Sequence, residues 1–347
     1  MCQARFRPPT SNGRDFLENI TLMTSATLAR KPLGTTGISA PPIAIGCAPL
    51  GNMPDTFGYA VSEAEAIATV LRALEGPLDY IDTSAEYGDG ESERRIGLAY
   101  KQLGGRPASS VLQTKIGMGP DGDFSGDAIK RRFERSLELL GVDHIEIVFL
   151  HDPEHISFKE GMAPGGPVEV LQGFKEQGAI GVLGVAGGPI PVEQAYVETG
   201  VFDVLITHNR YTLLNRVADP LLTLAKDRGL AVMNAAPYGS GILAKGSAAY
   251  PRYAYQQAPD EMVERTRQYE AICERYGIPL GAAALQFSMR DPRIDVTIVG
   301  MSKPERIDQT VALAEVEIPA EAWDELLAIP FDTSEPEANR DMSNYGK

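Results

Sequence analysis

Short apolar runs alternate along the chain with longer stretches of helical periodicity. The runs fall near residues 43–48, 79–82, 111–114, 145–150, 180–185, 202–207, 229–233 and 295–299. Their length and β-branched content predict buried strands. Between them, apolar residues recur at helical spacing, as at Ile129, Phe133, Leu137 and Leu140 in the stretch 127–140. Further amphipathic segments are expected over 62–74, 168–177, 192–199, 217–228 and 304–314. The first opens with Ser62 and has Glu65 three positions on, a capping-box signature. Strand–helix alternation without a long polar linker predicts either a closed (β/α)₈ barrel or an open doubly wound sheet. The first strand is followed by Cys47-Ala48-Pro49-Leu50-Gly51, which lacks the Gly-x-Gly-x-x-Gly turn of a dinucleotide-binding open sheet. The barrel is therefore preferred.

Three departures from regularity stand out. Residues 31–38 (KPLGTTGI) predict a short hairpin ahead of the first barrel strand, and 319–329 an extra C-terminal helix. The Gly/Ser/Tyr/Pro-rich connection 234–260 is long for a compact domain, which marks it as a ligand-binding loop. The first 28 residues, rich in Pro, Asn and Gly, are expected to form a poorly ordered extension, with Met23 an alternative start. Residues 29–347 are expected to form one barrel domain.

Composition narrows the function. A net charge of −15 in 347 residues gives no basic surface for nucleic acid. No stretch approaches the roughly 18 apolar residues of a membrane span. Three widely spaced cysteines, Cys2, Cys47 and Cys273, describe no disulfide framework, in keeping with a cytoplasmic protein.

Candidate chemistry gathers at the carboxyl ends of three successive predicted strands. The segment YIDTSAEYGDG (80–90) presents Asp82 and Tyr87. Ser110–Thr114 leads into Lys115, and Ile145–Leu150 into His151. In a parallel barrel such ends lie on one face, so the four side chains converge. Taken singly, each has a duller explanation: a turn residue, a packed aromatic, a solvated lysine, a locally satisfied histidine. Together they form an acid–base set. Lys115, held by Asp82, would favour ionisation of the Tyr87 phenol, and His151 would hydrogen-bond the same substrate oxygen. Protonating a carbonyl oxygen also requires hydride at carbon, which no side chain supplies, so a hydride-carrying cofactor is implied.

Other motifs carry less. His151-Asp152-Pro153-Glu154-His155 echoes a zinc helix, but Pro153 interrupts it. Asp121–Gly126 begins like a calcium loop, yet its twelfth position is Arg132 rather than Glu. No Gly-x-Ser-x-Gly nucleophile motif occurs.

Asp82-Thr83-Ser84-Ala85-Glu86-Tyr87-Gly88, the strand-end Thr114-Lys115 and Leu150-His151 resemble the signature of the aldo-keto reductases. The likeness spans roughly residues 29–315 and includes the opening LGTTG and IAIGCAPLG. It implies a (β/α)₈ barrel binding NADP or NAD, with Asp82, Tyr87, Lys115 and His151 as the catalytic tetrad. By the same resemblance, cofactor contacts fall on His208, Asn209, Tyr238, Gly239, Ser240, Gly241, Gly300, Ser302, Arg306 and Gln309. The chain departs from the family at Ala186 and Gly187, where Ser and Asn are usual, at Ala235, where an aromatic often stands, and at Gly300, where Lys is expected. Arg306 sits where the family contacts the adenosine 2′-phosphate. The stretches LHDPEH (150–155), NRYTLLNR (209–216) and NAAPYGSGIL (234–243) are similar to the branch of D-threo-aldose 1-dehydrogenases and pyridoxal 4-dehydrogenase. The implied partner is a small carbonyl or alcohol substrate such as a sugar. Two other readings share the fold: a cofactor-binding regulatory subunit, and an unrelated barrel enzyme using Lys115 as a Schiff base.

Overall fold

The computed structural model describes residues 28–338. The extension expected over 1–28 lies outside the described residues except for Leu28, which is buried. Eight parallel strands close into a barrel: β1 (Ile43–Gly46), β2 (Tyr80–Asp82), β3 (Val111–Ile116), β4 (Ile145–His151), β5 (Ile180–Gly187), β6 (Val204–His208), β7 (Ala231–Ala235) and β8 (Val296–Gly300). Neighbours pair in sequence order, and β8 pairs with β1, Gly300 opposite Gly46, to complete the ring. Each expected strand is present, with its ends shifted by one or two residues.

Helices follow the strands: α1 (Glu63–Leu74), α2 (Glu91–Gln102), α3 (Gly126–Leu140), α4 (Pro167–Glu176), α5 (Ile190–Glu198), α6 (Asp219–Asp227), α7 (Asp260–Tyr276), α8 (Leu280–Met289), α9 (Pro304–Glu315) and the terminal α10 (Ala320–Ala328). The capping box at Ser62 and Glu65 is formed in both directions. The connection 234–260 is partly ordered by a short helix (Ile242–Lys245) and a hairpin pairing Arg252–Tyr253 with Gln256–Gln257.

Two apolar layers hold the barrel. The outer one lies between strands and helices and includes Ile81, Leu112, Val148 and Leu150. The inner one fills the barrel with Ala44, Tyr80, Val111, Ile147, Phe149, Ile206, Met233 and Ile298. Leu33 and Ala40 belong to the inner layer, so the predicted hairpin (Lys31–Pro32 with Ser39–Ala40) plugs the amino-terminal end. The opposite mouth stays open. Asp332 bridges to Asn215, and Ser334 and Pro336 accept from the Asn215 and Gln256 side chains, so the segment after α10 lies along the loops beyond β6 and β7.

Candidate active site

Strand alternation explains what stands at the open mouth. Successive residues of a strand face opposite ways, so the residue two beyond an inner-layer residue also faces inward. Tyr80 is followed in this way by Asp82, Phe149 by His151, Ile206 by His208, Met233 by Ala235 and Ile298 by Gly300. Lys115 lies opposite Phe149, and Gly46 opposite Asp82. Gly46, Asp82, Lys115, His151, Ala186, His208, Ala235 and Gly300, one residue per strand, line a cleft of about 1860 Å³. Pockets of roughly 300–1,000 Å³ suffice for one drug-sized ligand, so this cleft has room for a dinucleotide and a second molecule.

Asp82, Tyr87, Lys115 and His151 are brought together as expected. The Lys115 ammonium directs its three donors to Asp82 Oδ1 at 2.6 Å, the Thr83 carbonyl at 2.9 Å and the Tyr87 hydroxyl at 3.2 Å. The Asp82 and Lys115 side chains are each 4% exposed, and Gln113 Nε2 donates to the same carboxylate oxygen at 2.7 Å. A buried ion pair in which each partner has further hydrogen bonds is held in one geometry. Lys115 Nζ also stands 4.8 Å from the centre of the Tyr87 ring. A phenol oxygen that accepts from an ammonium is stabilised when it gives up its proton.

Tyr87 lies on the turn between β2 and α2, which is seated backbone against backbone. Gly88 has φ +66°, and a Cβ there would lie 2.1 Å from the Gly51 carbonyl oxygen. A Cβ on Gly51 would in turn meet the Tyr87 carbonyl at 2.7 Å. Two glycines thus allow the turn to press on the loop after β1, fixing where the phenol points. The His151 ring meets the Tyr87 ring edge-on, centroids 6.1 Å apart.

Around His151 stand groups that motif reasoning missed. Nδ1 lies 2.8 Å from Glu86 Oε2 and 3.1 Å from Ser84 Oγ. Asp152 Oδ1 is 3.6 Å from Nε2. Burial works against a charged His151, but Asp152 and then Glu86 outweigh it, and the ring holds a proton more tightly than an ordinary histidine. Behind Lys115, buried Glu93 accepts from Thr114 Oγ1 at 2.6 Å, and burial raises its pKa to about 7. Glu86 and Glu93 were both visible as polar residues in the Asp-to-Tyr segment and the helix after it. Sequence gives no sign that either turns inward.

The cofactor positions divide. His208, Tyr238, Ser240, Gly241, Gly300, Ser302, Arg306 and Gln309 line the cleft. Asn209 and Gly239 do not. Asn209 is wholly buried with φ +57°, and its Oδ1 accepts from Ser240 Oγ at 3.0 Å. A Cβ on Gly239 would lie 2.2 Å from the Tyr253 ring. Both shape the loops from behind the wall. His208 Nε2 lies 3.2 Å from Glu337, and buried Arg210 pairs with Glu335 and Glu337. Beside Gly187 and Gly188, next to the departure at Ala186 and Gly187 from the family's usual Ser and Asn, Glu154 fills the space and accepts from the Gly188 N–H at 3.1 Å.

These residues fit a flat ligand. Ala186, Ala235, Gly300 and Gly46 carry nothing beyond Cβ, which leaves His208 as the one long side chain among the strand ends of that arc. The buried Tyr238 hydroxyl has no hydrogen-bond partner among the described residues, and Arg306 bonds only neutral Gln309 there, at 3.0 Å. The two histidines of the zinc-like motif do not share a helix, because Asp152 takes a left-handed conformation and Pro153 starts a separate short turn.

A family model described as "Aldo/keto reductase family" matches residues 42–329. D-threo-aldose 1-dehydrogenase from Pseudomonas sp. is 30% identical over 317 residues, covering 84% of this chain and 94% of that protein. Pyridoxal 4-dehydrogenase from Microbacterium luteolum is 29% identical over 333 residues, covering 85% and 95%. The structure of an aldo-keto reductase from Bacillus halodurans in its holo form superposes with a TM-score of 0.72, covering 90% of this chain and all of that one, at 21% identity.

Proposed function

The chain belongs to the aldo/keto reductase family and is a nicotinamide-dependent oxidoreductase, and on that premise we propose that it moves hydride between NAD(P) and C1 of a sugar or a related small aldehyde or alcohol. The commitment of the Lys115 ammonium to Asp82, Thr83 and Tyr87 at the cleft floor is the observation that carries this reading.

A bound nicotinamide would supply or accept the hydride at the substrate carbon. The protein's part is the proton. In reduction, Tyr87 passes its hydroxyl proton to the carbonyl oxygen as that oxygen gains charge, and Lys115 stabilises the phenolate left behind. In oxidation, the phenolate takes the proton of the alcohol. Asp82 and Gln113 keep Lys115 in place, and His151 hydrogen-bonds the reacting oxygen. His208 and the Ala186–Ala235 arc would receive the nicotinamide. Backbone donors at Ser240 and Gly241 suit the pyrophosphate, with the Tyr238 hydroxyl beside them. Ser302, Arg306 and Gln309 would face the adenosine end, where the Arg306 guanidinium can grip a 2′-phosphate and favour NADP over NAD. The sugar assignment rests on the likeness to D-threo-aldose 1-dehydrogenase. Two buried free thiols, Cys47 and Cys273, suit the reducing cytoplasm. No helix among the described residues is long and apolar enough to cross a membrane.

Mixing the protein with NAD⁺ or NADP⁺ and a panel of aldoses, while following absorbance of the reduced cofactor, tests this directly. Turnover is expected on at least one aldose, and Tyr87→Phe should cut kcat by about 10²–10⁴-fold with cofactor affinity retained. Tight cofactor binding with no turnover on any aldose, aldehyde or alcohol would instead indicate a binding subunit.

A further inference from the structure

We infer that Glu86 is a positioning residue that fixes the tautomer of His151, so that the ring donates to the reacting oxygen only as the imidazolium. This rests on the reading above, in which His151 faces the substrate oxygen.

The geometry of Nδ1 carries the argument. Its two near neighbours are Glu86 Oε2 and Ser84 Oγ. A carboxylate only accepts. Ser84 Oγ has its own acceptors, Glu86 Oε2 and the Lys115 carbonyl at 3.1 Å. Nδ1 must therefore carry a proton. Glu86 is itself held, because its other oxygen accepts the Gly117 N–H at 2.7 Å from the loop after β3. The Ser84 hydroxyl and the Gly117 N–H thus hold its two oxygens from separate segments.

With Nδ1–H fixed, the second nitrogen follows, since the hydrogen bond made by one ring nitrogen decides the state of the other. Nε2 of the neutral ring has only a lone pair. It gains a donor when the ring takes a second proton. Asp152 Oδ1, at 3.6 Å, is too far for a hydrogen bond to Nε2 and acts through charge alone. The charged and titratable groups facing the ring are Glu86 from the β2 turn, Lys115 from β3, Tyr87 at its edge, and Asp152, Glu154 and His155 beyond β4. In reduction the oxygen needs donors, so the imidazolium is the competent form. In oxidation the single O–H proton of the alcohol passes to the Tyr87 phenolate, and a neutral ring beside it leaves that phenolate more basic than an imidazolium would. One side chain thus serves both directions, with pH selecting between them.

The experiment is an imidazole ¹⁵N titration of the full chain alongside pH profiles of kcat and KM in both directions, for the wild type, Glu86→Gln and Glu86→Asp. The wild-type ring should be protonated at Nδ1 when neutral and titrate above an ordinary histidine. Reductive kcat should fall, and oxidative kcat rise, through that same pH. Glutamine at 86 should lower the His151 midpoint by about one unit and move the kcat limbs with it, leaving KM for the cofactor alone. Aspartate should restore part of the shift. A neutral wild-type ring with its proton on Nε2 would overturn the inference, and that measurement needs no variant. So would unchanged ¹⁵N shifts and pH limbs in folded Glu86→Gln. Failure of the underlying reading looks different: Tyr87→Phe would keep its turnover while the ¹⁵N titration still reported the tautomer.

Discussion

The two halves of the barrel mouth are built on opposite plans. From β2 to β4 the inward strand ends carry Asp82, Lys115 and His151; Lys115 pairs with Asp82 and hydrogen-bonds Tyr87, and His151 is tied to Glu86 and Ser84 with its ring edge-on to Tyr87. From β5 round to β1 the same positions hold Ala186, His208, Ala235, Gly300 and Gly46, and recognition passes to the loops. Those loops contain Asn209, Ala236 and Ser240 at positive φ, and the cleft-lining Tyr238 hydroxyl is buried there without a partner among the described residues. One half is complete in itself. The other is shaped as a receptacle, its local strain and unmet donor being what a ligand-binding surface retains.

The contrast is sharpest for substitutions that leave a buried group unmatched. Lys115→Met strands the Asp82 carboxylate, and stability should drop by about 3–5 kcal/mol, read as a lower urea midpoint; turnover should vanish with it. Adding Asp82→Asn should recover much of the stability and none of the turnover. If the single variant unfolds like the wild type, the network is not the rigid unit described. Across the mouth, Gly239→Ala forces a Cβ into the Tyr253 ring at φ +58°, at a cost of about 2–4 kcal/mol. Its expected signature is weaker cofactor binding by calorimetry, with kcat at saturating cofactor little changed; equal loss of kcat would erase the distinction between the halves.

The smallest effect concerns Glu93, buried behind Lys115. Burial raises its pKa from 4.5 to about 7, with hydrogen bonds from Thr114 and Ser136 opposing in part. The folded state then binds this proton more tightly than the unfolded chain. Its contribution to stability is present below about pH 4.5 and is lost as pH rises through 7. Glu93→Gln removes the penalty, so it should gain about 1–3 kcal/mol at pH 8 and nothing at pH 4.5. Thermal unfolding at the two pH values checks this, and a gain independent of pH would refute it.

What could be read from the sequence follows the same division. Strand ends and the side chains they present depend on local alternation, so Asp82, Lys115 and His151 could be placed in register without any tertiary contact. The capping box at Ser62 was legible for the same reason. Glu86 and Gln113 were not, because their roles depend on a partner from another strand. Asn209 and Gly239 were assigned to the cofactor by resemblance, yet loop conformations at positive φ turn them behind the wall. The helices α2, α7 and α8 lay in stretches where polar residues or near-uniform apolar character blurred the periodicity.

The ring closes only when β8 meets β1, which couples the earliest barrel strand to the last. During synthesis the strands bearing Asp82, Lys115 and His151, residues 80–151, emerge well before residues 296–300. For that interval β1 presents an unpaired edge, and the half-made sheet an apolar inner face. Such an intermediate can add a strand from another nascent chain as readily as its own. Slower arrival of the last strand is therefore expected to lower the yield of active protein, a race decided outside the active site.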